Sequence, residues 1–226
     1  AAGRPEFALA ALQGLQQDAE GADLRSEPEV AAVQAVGWWF LGRGDLASQG
    51  LPSGEGWLAL AQWRLSATER ERSAALAAMA RHWPAGDGVM GCRQRVLAAT
   101  LQTPALADAE CLVADLEERG LLPLCRQAHG LAAQAALAAG ATESAVMHAR
   151  QSLAMDTAVD PWTDEPAAPW LRAAAVLRAA GAPSEADEAL ARGRAWLLAA
   201  AGRLPDAAAQ RLFLHGHAMH RQLTKA

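Results

Sequence analysis

The densest group of histidines in the chain lies near its C-terminus. His215, His217 and His220 fall within one short segment, and imidazole nitrogen is a common ligand of Zn²⁺ and Cu²⁺. On a regular helix His217 and His220 share a face while His215 lies off it, so a three-ligand site requires the helix to end or turn there. The segment supports a metal-binding hypothesis, against the simpler one of polar positions on a terminal helix.

The three cysteines, Cys92, Cys111 and Cys125, have none of the spacings that indicate a zinc ribbon or a thioredoxin-type redox site. They are odd in number and include no close pair, which does not suit a disulfide framework. We therefore expect reduced, buried thiols, as is usual in a cytoplasmic protein, and a cytoplasmic location.

The remaining sequence patterns do not point to catalysis or to a bound cofactor. Residues 42–47 match the G-x-G-x-x-A pattern of dinucleotide sites, but they follow a helical pattern rather than a strand, which favours a glycine-containing turn. Adjacent carboxylates such as Glu117 and Glu118 point apart on a helix, so they make a poor acid–base pair. The sequence holds no G-x-x-x-x-G-K-[ST] phosphate loop, and Lys225 is its sole lysine. We expect no enzymatic activity and no cofactor.

The composition indicates the class of the elements that must position these residues. Hydrophobic residues make up 52% and charged residues 20% of the 226 residues, which excludes general disorder. Ile, Asn and Tyr are absent, whereas the strong helix formers Ala and Leu are abundant, so the sequence predicts an all-α protein. The net charge of −5 argues against nucleic-acid binding. No apolar run reaches the roughly 18 uninterrupted residues of a membrane helix, so we expect no membrane partner.

Gly and Pro punctuate the chain at short intervals, and the stretches between them show helical spacing of Ala and Leu. The short connections imply that neighbouring helices are antiparallel. Residues 1–6 are typical of an expression scar or of a cut inside a longer protein, and residues 7–226 are predicted to form a single helical-repeat domain. The predicted helices cover 6–19, 27–41, 55–66, 68–82, 89–101, 105–119, 122–139, 142–155, 167–180, 184–201 and 205–223.

Two stretches of the chain, residues 129–156 and 170–197, align at a constant offset of 41 positions. The matched pairs are all small residues, as is required where two helices cross closely or where one hairpin packs on the next. These pairs are Ala133 and Ala174, Gly140 and Gly181, Ala145 and Ala186, and Ser152 and Gly193. The repeat predicts two equivalent helical hairpins.

The repeated pattern resembles the tetratricopeptide repeat. Trp170 occupies the tryptophan position of that family, Gly140 and Gly181 the position between the two helices, and Ala145 and Ala186 the small position that opens the second helix. This sequence departs from the family at His129, which replaces the first tryptophan, and in its offset, since the family repeats every 34 residues or so. The resemblance is clearest over residues 120–200. It implies antiparallel hairpins stacked in a right-handed superhelix, with a capping helix at 205–223.

The C-terminal stretch resembles the end of the helical-repeat region in large bacterial ATPase-linked signalling and transcriptional regulators. The matching segments are Trp196-Leu197, Leu204-Pro205, Arg211 to Leu214, and Arg221 to Leu223. That family commonly has Asn-Pro where this chain has His217-Ala218. The resemblance implies the sensing or docking part of a larger regulator, with attached domains and a protein partner or small effector.

The tetratricopeptide resemblance also implies where such a partner would bind. The first helix of each hairpin lines the concave face in that family, which would place Gln127, Gln134, Leu171 and Arg178 in the groove. Two alternatives remain open. One is a free-standing adaptor or chaperone whose groove takes an amphipathic helix. The other is a metal-binding helical protein that uses the C-terminal histidines.

Overall fold

The computed structural model describes residues 28–40, 47, 56–66, 68–83, 88–155, 167–204 and 206–225. Within these ranges the chain forms eleven α-helices and no strand, which confirms the predicted all-α class. None of these helices is both long enough and apolar enough to cross a bilayer. The predicted helix at 6–19 lies outside the described residues. The helices are α1 (Pro28–Phe40), α2 (Trp57–Leu65), α3 (Glu69–His82), α4 (Gly88–Leu101), α5 (Leu106–Glu118), α6 (Leu122–Ala138), α7 (Thr142–Ala154), α8 (Ala168–Ala179), α9 (Pro183–Ala201), α10 (Ala207–Gly216) and α11 (Ala218–Lys225).

Three of the connections between helices have the same backbone geometry. Gly120, Gly140 and Gly181 follow α5, α6 and α8 with φ of 66°, 76° and 82°, a left-handed conformation that glycine adopts without strain. At each turn the next amide donates to a carbonyl five residues back, which closes the helix in a Schellman motif. These bonds are Leu121 N to Leu116 O at 3.0 Å, Ala141 N to Ala136 O at 2.9 Å, and Ala182 N to Leu177 O at 2.8 Å. The turns make tight hairpins of α5–α6, α6–α7 and α8–α9.

Each described helix packs against the next along the chain, and α6 also contacts both α4 and α8. Side-chain contacts also link helices that are not consecutive in the chain. Arg150 of α7 forms a two-bond ion pair with Glu185 of α9, and Glu110 of α5 lies beside His148 of α7. Among the described helices, α6 and α8 each contact four others, and most positions of α6 are buried.

The small residues of the 41-residue repeat lie at helix contacts. Ala133, Ala174, Ala145, Ala186 and Ser152 are all buried. Gly193 has the strictest requirement, because a Cβ atom there would lie 2.9 Å from Cβ and Cγ of Trp170. The closest approach of α8 to α9 thus depends on the absence of a side chain at this position.

The C-terminal segment differs from the single helix predicted at 205–223. It forms two helices, α10 and α11, separated by His217 in an extended conformation (φ −97°, ψ 139°). Glycine is a poor helix former, and Gly216 lies at the break. Nη1 of Arg221 donates to the carbonyls of His215 and Gly216 at 2.6 and 3.1 Å, which satisfies the free end of α10. The break lets α11 pack on α8 and α9, where Leu223 is fully buried.

Candidate functional site

Side chains of metal-ligand type converge where α5 and α6 meet. A carboxylate oxygen of Glu117, Sγ of Cys125 and a ring nitrogen of His129 all lie within 4.8 Å of one another. Cys125 and His129 are one helical turn apart and share a face of α6. Glu117 lies in the last turn of α5, and the tight turn at Gly120 folds α6 back beside it. The hairpin geometry therefore assembles this set, which we call the ligand group.

A buried pair of imidazoles extends from the ligand group to α7. Nδ1 of His129 lies 3.0 Å from Nδ1 of His148, and Nε2 of His129 lies 3.3 Å from Oε1 of Glu117. Both histidines are almost completely buried. Two Nδ1 atoms can share a hydrogen bond only if one carries the proton and the other accepts it. The contact therefore couples the tautomers of the two rings.

The far side of the imidazole pair is incompletely satisfied. Nε2 of His148 is buried without a hydrogen-bond partner, and Oε1 of Glu110 lies 3.8 Å from it, beyond hydrogen-bond range. Glu110 and Glu117 are two helical turns apart on α5, so both carboxylates face the pair. The polar chain runs from Glu117 through His129 and His148 towards Glu110, crossing from α5 to α6 to α7 and back.

Burial sets the protonation states in the ligand group. It raises the pKa of the Cys125 thiol to about 11, and the nearby Glu117 carboxylate adds to this rise. Burial and the neighbouring His148 lower the pKa of His129, against a smaller raising effect of Glu117. At neutral pH the group thus holds a protonated thiol beside an uncharged imidazole. A protonated thiol is a weaker nucleophile than a thiolate.

The C-terminal histidines occupy a different kind of environment. The rings of His217 and His220 are buried and meet nearly perpendicularly, with centroids 4.8 Å apart. Nδ1 of His220 donates to the carbonyl of Phe213 at 2.7 Å. His215 is exposed. In the part of the chain that the structure describes, these three residues do not form a set whose ligand atoms all lie within 4.8 Å of one another. Here packing, rather than ligand geometry, brings two of the three predicted residues together.

The four residues predicted to line a groove differ in their exposure to solvent. Gln134 and Arg178 are exposed and Leu171 is half-buried. Nη2 of Arg178 pairs with Asp187 at 2.6 Å across the α8–α9 hairpin. Gln127 is buried, contrary to the expectation that it projects into a groove. The reason is the enclosure of α6 by neighbouring helices, which covers most of its positions.

Helices α6 and α8 also meet through a buried cation. The Arg126 guanidinium carbon lies 4.4 Å from the ring centroid of Trp170, within the range of a cation–π contact, and both side chains are almost fully buried. Cβ and Cγ of Trp170 lie close to the backbone of Gly193 in α9. The tryptophan is thus held between the two helices that flank it.

A surface pocket of about 300 Å³ lies between α4, α5 and α6. This volume is at the lower end of the range of small-molecule sites. Polar and apolar side chains both line it, among them Arg95, Asp108, Cys111, Leu112 and Leu131. The pocket and the ligand group share no lining residue.

Sequence reasoning did not identify the ligand group. The one signal available was Cys125 and His129 at i, i+4 spacing, with Glu117 just before a predicted turn. His148 and Glu110 carry no such signal, because their positions follow from the packing of three helices. Comparison of the chain with protein-family models, with curated proteins and with solved structures finds no match.

Proposed function

We propose that this chain is a partner-binding helical-repeat module, built as antiparallel hairpins in a tetratricopeptide-like right-handed superhelix. In this proposal it is the cytoplasmic sensing or docking part of a larger bacterial signalling or transcriptional regulator. The observation that carries the proposal is the recurrence of one turn geometry at Gly120, Gly140 and Gly181. Hairpins joined in the same way stack into repeat arrays, and such arrays present extended surfaces to partners.

The surface proposed for the partner is the exposed side of α6 and α8, which contact each other directly. Gln134 and Arg178 offer polar contacts there and Leu171 offers an apolar one. The ion pair of Arg178 with Asp187 is exposed, so releasing the guanidinium to a partner carboxylate costs less than about 1 kcal/mol. A protein segment is the favoured partner. A small effector is the second choice, with the pocket beside α4 and α5 as its site.

Selection from a displayed peptide library, followed by calorimetric titration, tests this assignment. We expect Gln134→Ala/Arg178→Ala to weaken binding of the selected peptide about tenfold or more, which is about 1.4 kcal/mol in binding free energy. The melting temperature of the variant should not fall. Met147→Ala/Leu198→Ala is the matched control, since both residues are exposed but lie on α7 and α9. An equal loss in the control, or no loss in the first variant, would contradict the proposed surface.

A further inference from the structure

The ligand group combines a thiol, an imidazole and a carboxylate, the three side-chain types that bind Zn²⁺. Around a tetrahedral zinc ion, donors about 2.0–2.3 Å from the metal lie about 3.4–3.6 Å from one another. The donors of Glu117, Cys125 and His129 are all within 4.8 Å of one another, so an adjustment of about 1 Å brings them to this spacing. Glu117 can supply that adjustment, because its side chain is 55% exposed.

Charge complementarity also favours a divalent cation. Binding would convert the Cys125 thiol to a thiolate, with its proton passing to solvent. Thiolate and carboxylate together then cancel the two positive charges of the ion. The resulting centre is neutral, which suits its location beside a buried helix far better than an uncompensated charge. Solvent reaches the exposed Glu117 side chain and would supply a water molecule as the fourth ligand.

The imidazole pair has an unsatisfied nitrogen in either neutral tautomer. If His148 donates through Nδ1, its own Nε2 is a buried acceptor without a partner. If His129 donates instead, its bare Nε2 faces the Glu117 carboxylate at 3.3 Å. A cation between His129 and Glu117 removes the second conflict, because the bare nitrogen becomes a ligand. His148 then carries its proton on Nε2, directed towards Glu110.

We propose that Glu117, Cys125 and His129 form a zinc site, in which His148 and Glu110 act as positioning residues for His129. Such outer contacts fix the tautomer and orientation of a ligating imidazole. The site is separate from the surface proposed for partner binding. Its test therefore does not depend on whether a peptide is bound.

Titration of the full chain with Co²⁺ tests the site, using protein purified without a polyhistidine tag. Tetrahedral Co²⁺ gives visible absorption, and a thiolate ligand adds a charge-transfer band in the near ultraviolet. We expect both signals to saturate at one ion per chain, to disappear on addition of Zn²⁺, and to accompany release of about one proton at pH 7.5, since the thiol is protonated before binding.

Four variants make the assignment specific. Cys125→Ser should remove the charge-transfer band, whereas Cys111→Ser, which changes an exposed cysteine, should leave it intact. Glu117→Gln alters an exposed side chain, so it should keep the fold while weakening binding of the metal ion. His148→Gln should weaken binding about 10- to 100-fold with the charge-transfer band retained. Absence of one-to-one binding, or a band that survives Cys125→Ser, would overturn the proposal.

Discussion

The hairpins α6–α7 and α8–α9 share the same turns and small crossing residues, which we call the frame, but they bury different large side chains. Both turn at a left-handed glycine, and both bury alanine at the matched crossing positions. Where the second hairpin has Trp170 and Ala189, the first has His129 and His148 at the same 41-residue offset. The frame therefore does not require imidazoles, since an aromatic ring and a methyl group fill the equivalent positions.

The two hairpins also differ in what the large side chain contacts. Trp170 fills the space left by Gly193, its ring centroid lies 5.3 Å from that of Trp196, and its ring contacts the Arg126 guanidinium, so it makes packing and cation–π contacts. His129 instead makes polar contacts to His148 and Glu117. The comparison teaches that turns and small residues specify the hairpin, and that the large position is then available for chemistry.

Trp170→Ala should have the largest effect on this comparison. Truncating a fully buried tryptophan costs about 3–5 kcal/mol in the free energy of unfolding, and here it also removes the ring beneath Arg126. Chemical denaturation followed by circular dichroism measures the loss. His129→Ala is the matched control and should cost clearly less, because the side chain removed is smaller and polar. Equal losses would show that both positions are simple packing sites.

Gly193→Ala should have the next largest effect, lowering the free energy of unfolding by about 1–3 kcal/mol through overpacking. Alanine normally stabilises a helix relative to glycine by about 1 kcal/mol. At this position the added Cβ meets Trp170 at 2.9 Å, and we expect the clash to outweigh the helix propensity. Ser152→Ala tests the equivalent position of the other hairpin, where it deletes only the hydroxyl bond to the Arg126 carbonyl, worth about 1 kcal/mol. A stabilising Gly193→Ala would refute the close approach of α8 and α9.

Helix α11, which packs on the second hairpin, should make the free energy of unfolding depend on pH. Burial lowers the pKa of His220 in the folded protein, opposed in part by its hydrogen bond to Phe213. The unfolded chain therefore binds more protons as the pH falls through about 6.5, so stability is lost on acidification, by at most about 1.4 kcal/mol per pH unit for this group. His220→Gln should flatten that part of the pH profile in urea unfolding. His215→Gln, at an exposed position, should not change it.

Replacing the two buried imidazoles of the first hairpin should have the smallest effect on the free energy of unfolding. His129→Leu/His148→Ala replaces the imidazole pair by apolar side chains, as in the second hairpin. Because well-packed apolar replacements of buried polar groups are often neutral, we expect a change within about 1 kcal/mol in metal-free protein. The same variant should lose the rise in melting temperature that we expect Zn²⁺ to give the parent chain. A large loss of stability without metal would mean that the imidazoles serve the fold itself.

Much of this frame was predictable from the sequence. The predicted helices from 27–41 to 184–201 match α1 to α9 within two residues at each end, because glycine and proline mark the boundaries. The prediction was wrong at 205–223, where Gly216 and the capping side chain of Arg221 allow a break that periodicity does not show. The burial of Gln127 and the meeting of His129 with His148 were not predictable, since both depend on which neighbours enclose α6.

Zinc K-edge X-ray absorption of the zinc-loaded chain tests the central claim most directly, because it reports the ligand atoms themselves. We predict one sulfur at about 2.3 Å together with nitrogen or oxygen at about 2.0–2.2 Å, and loss of the sulfur in Cys125→Ser. A shell of nitrogen and oxygen alone in the parent chain would contradict the site at Cys125. It would direct attention instead to histidines elsewhere, beginning with His217 and His220.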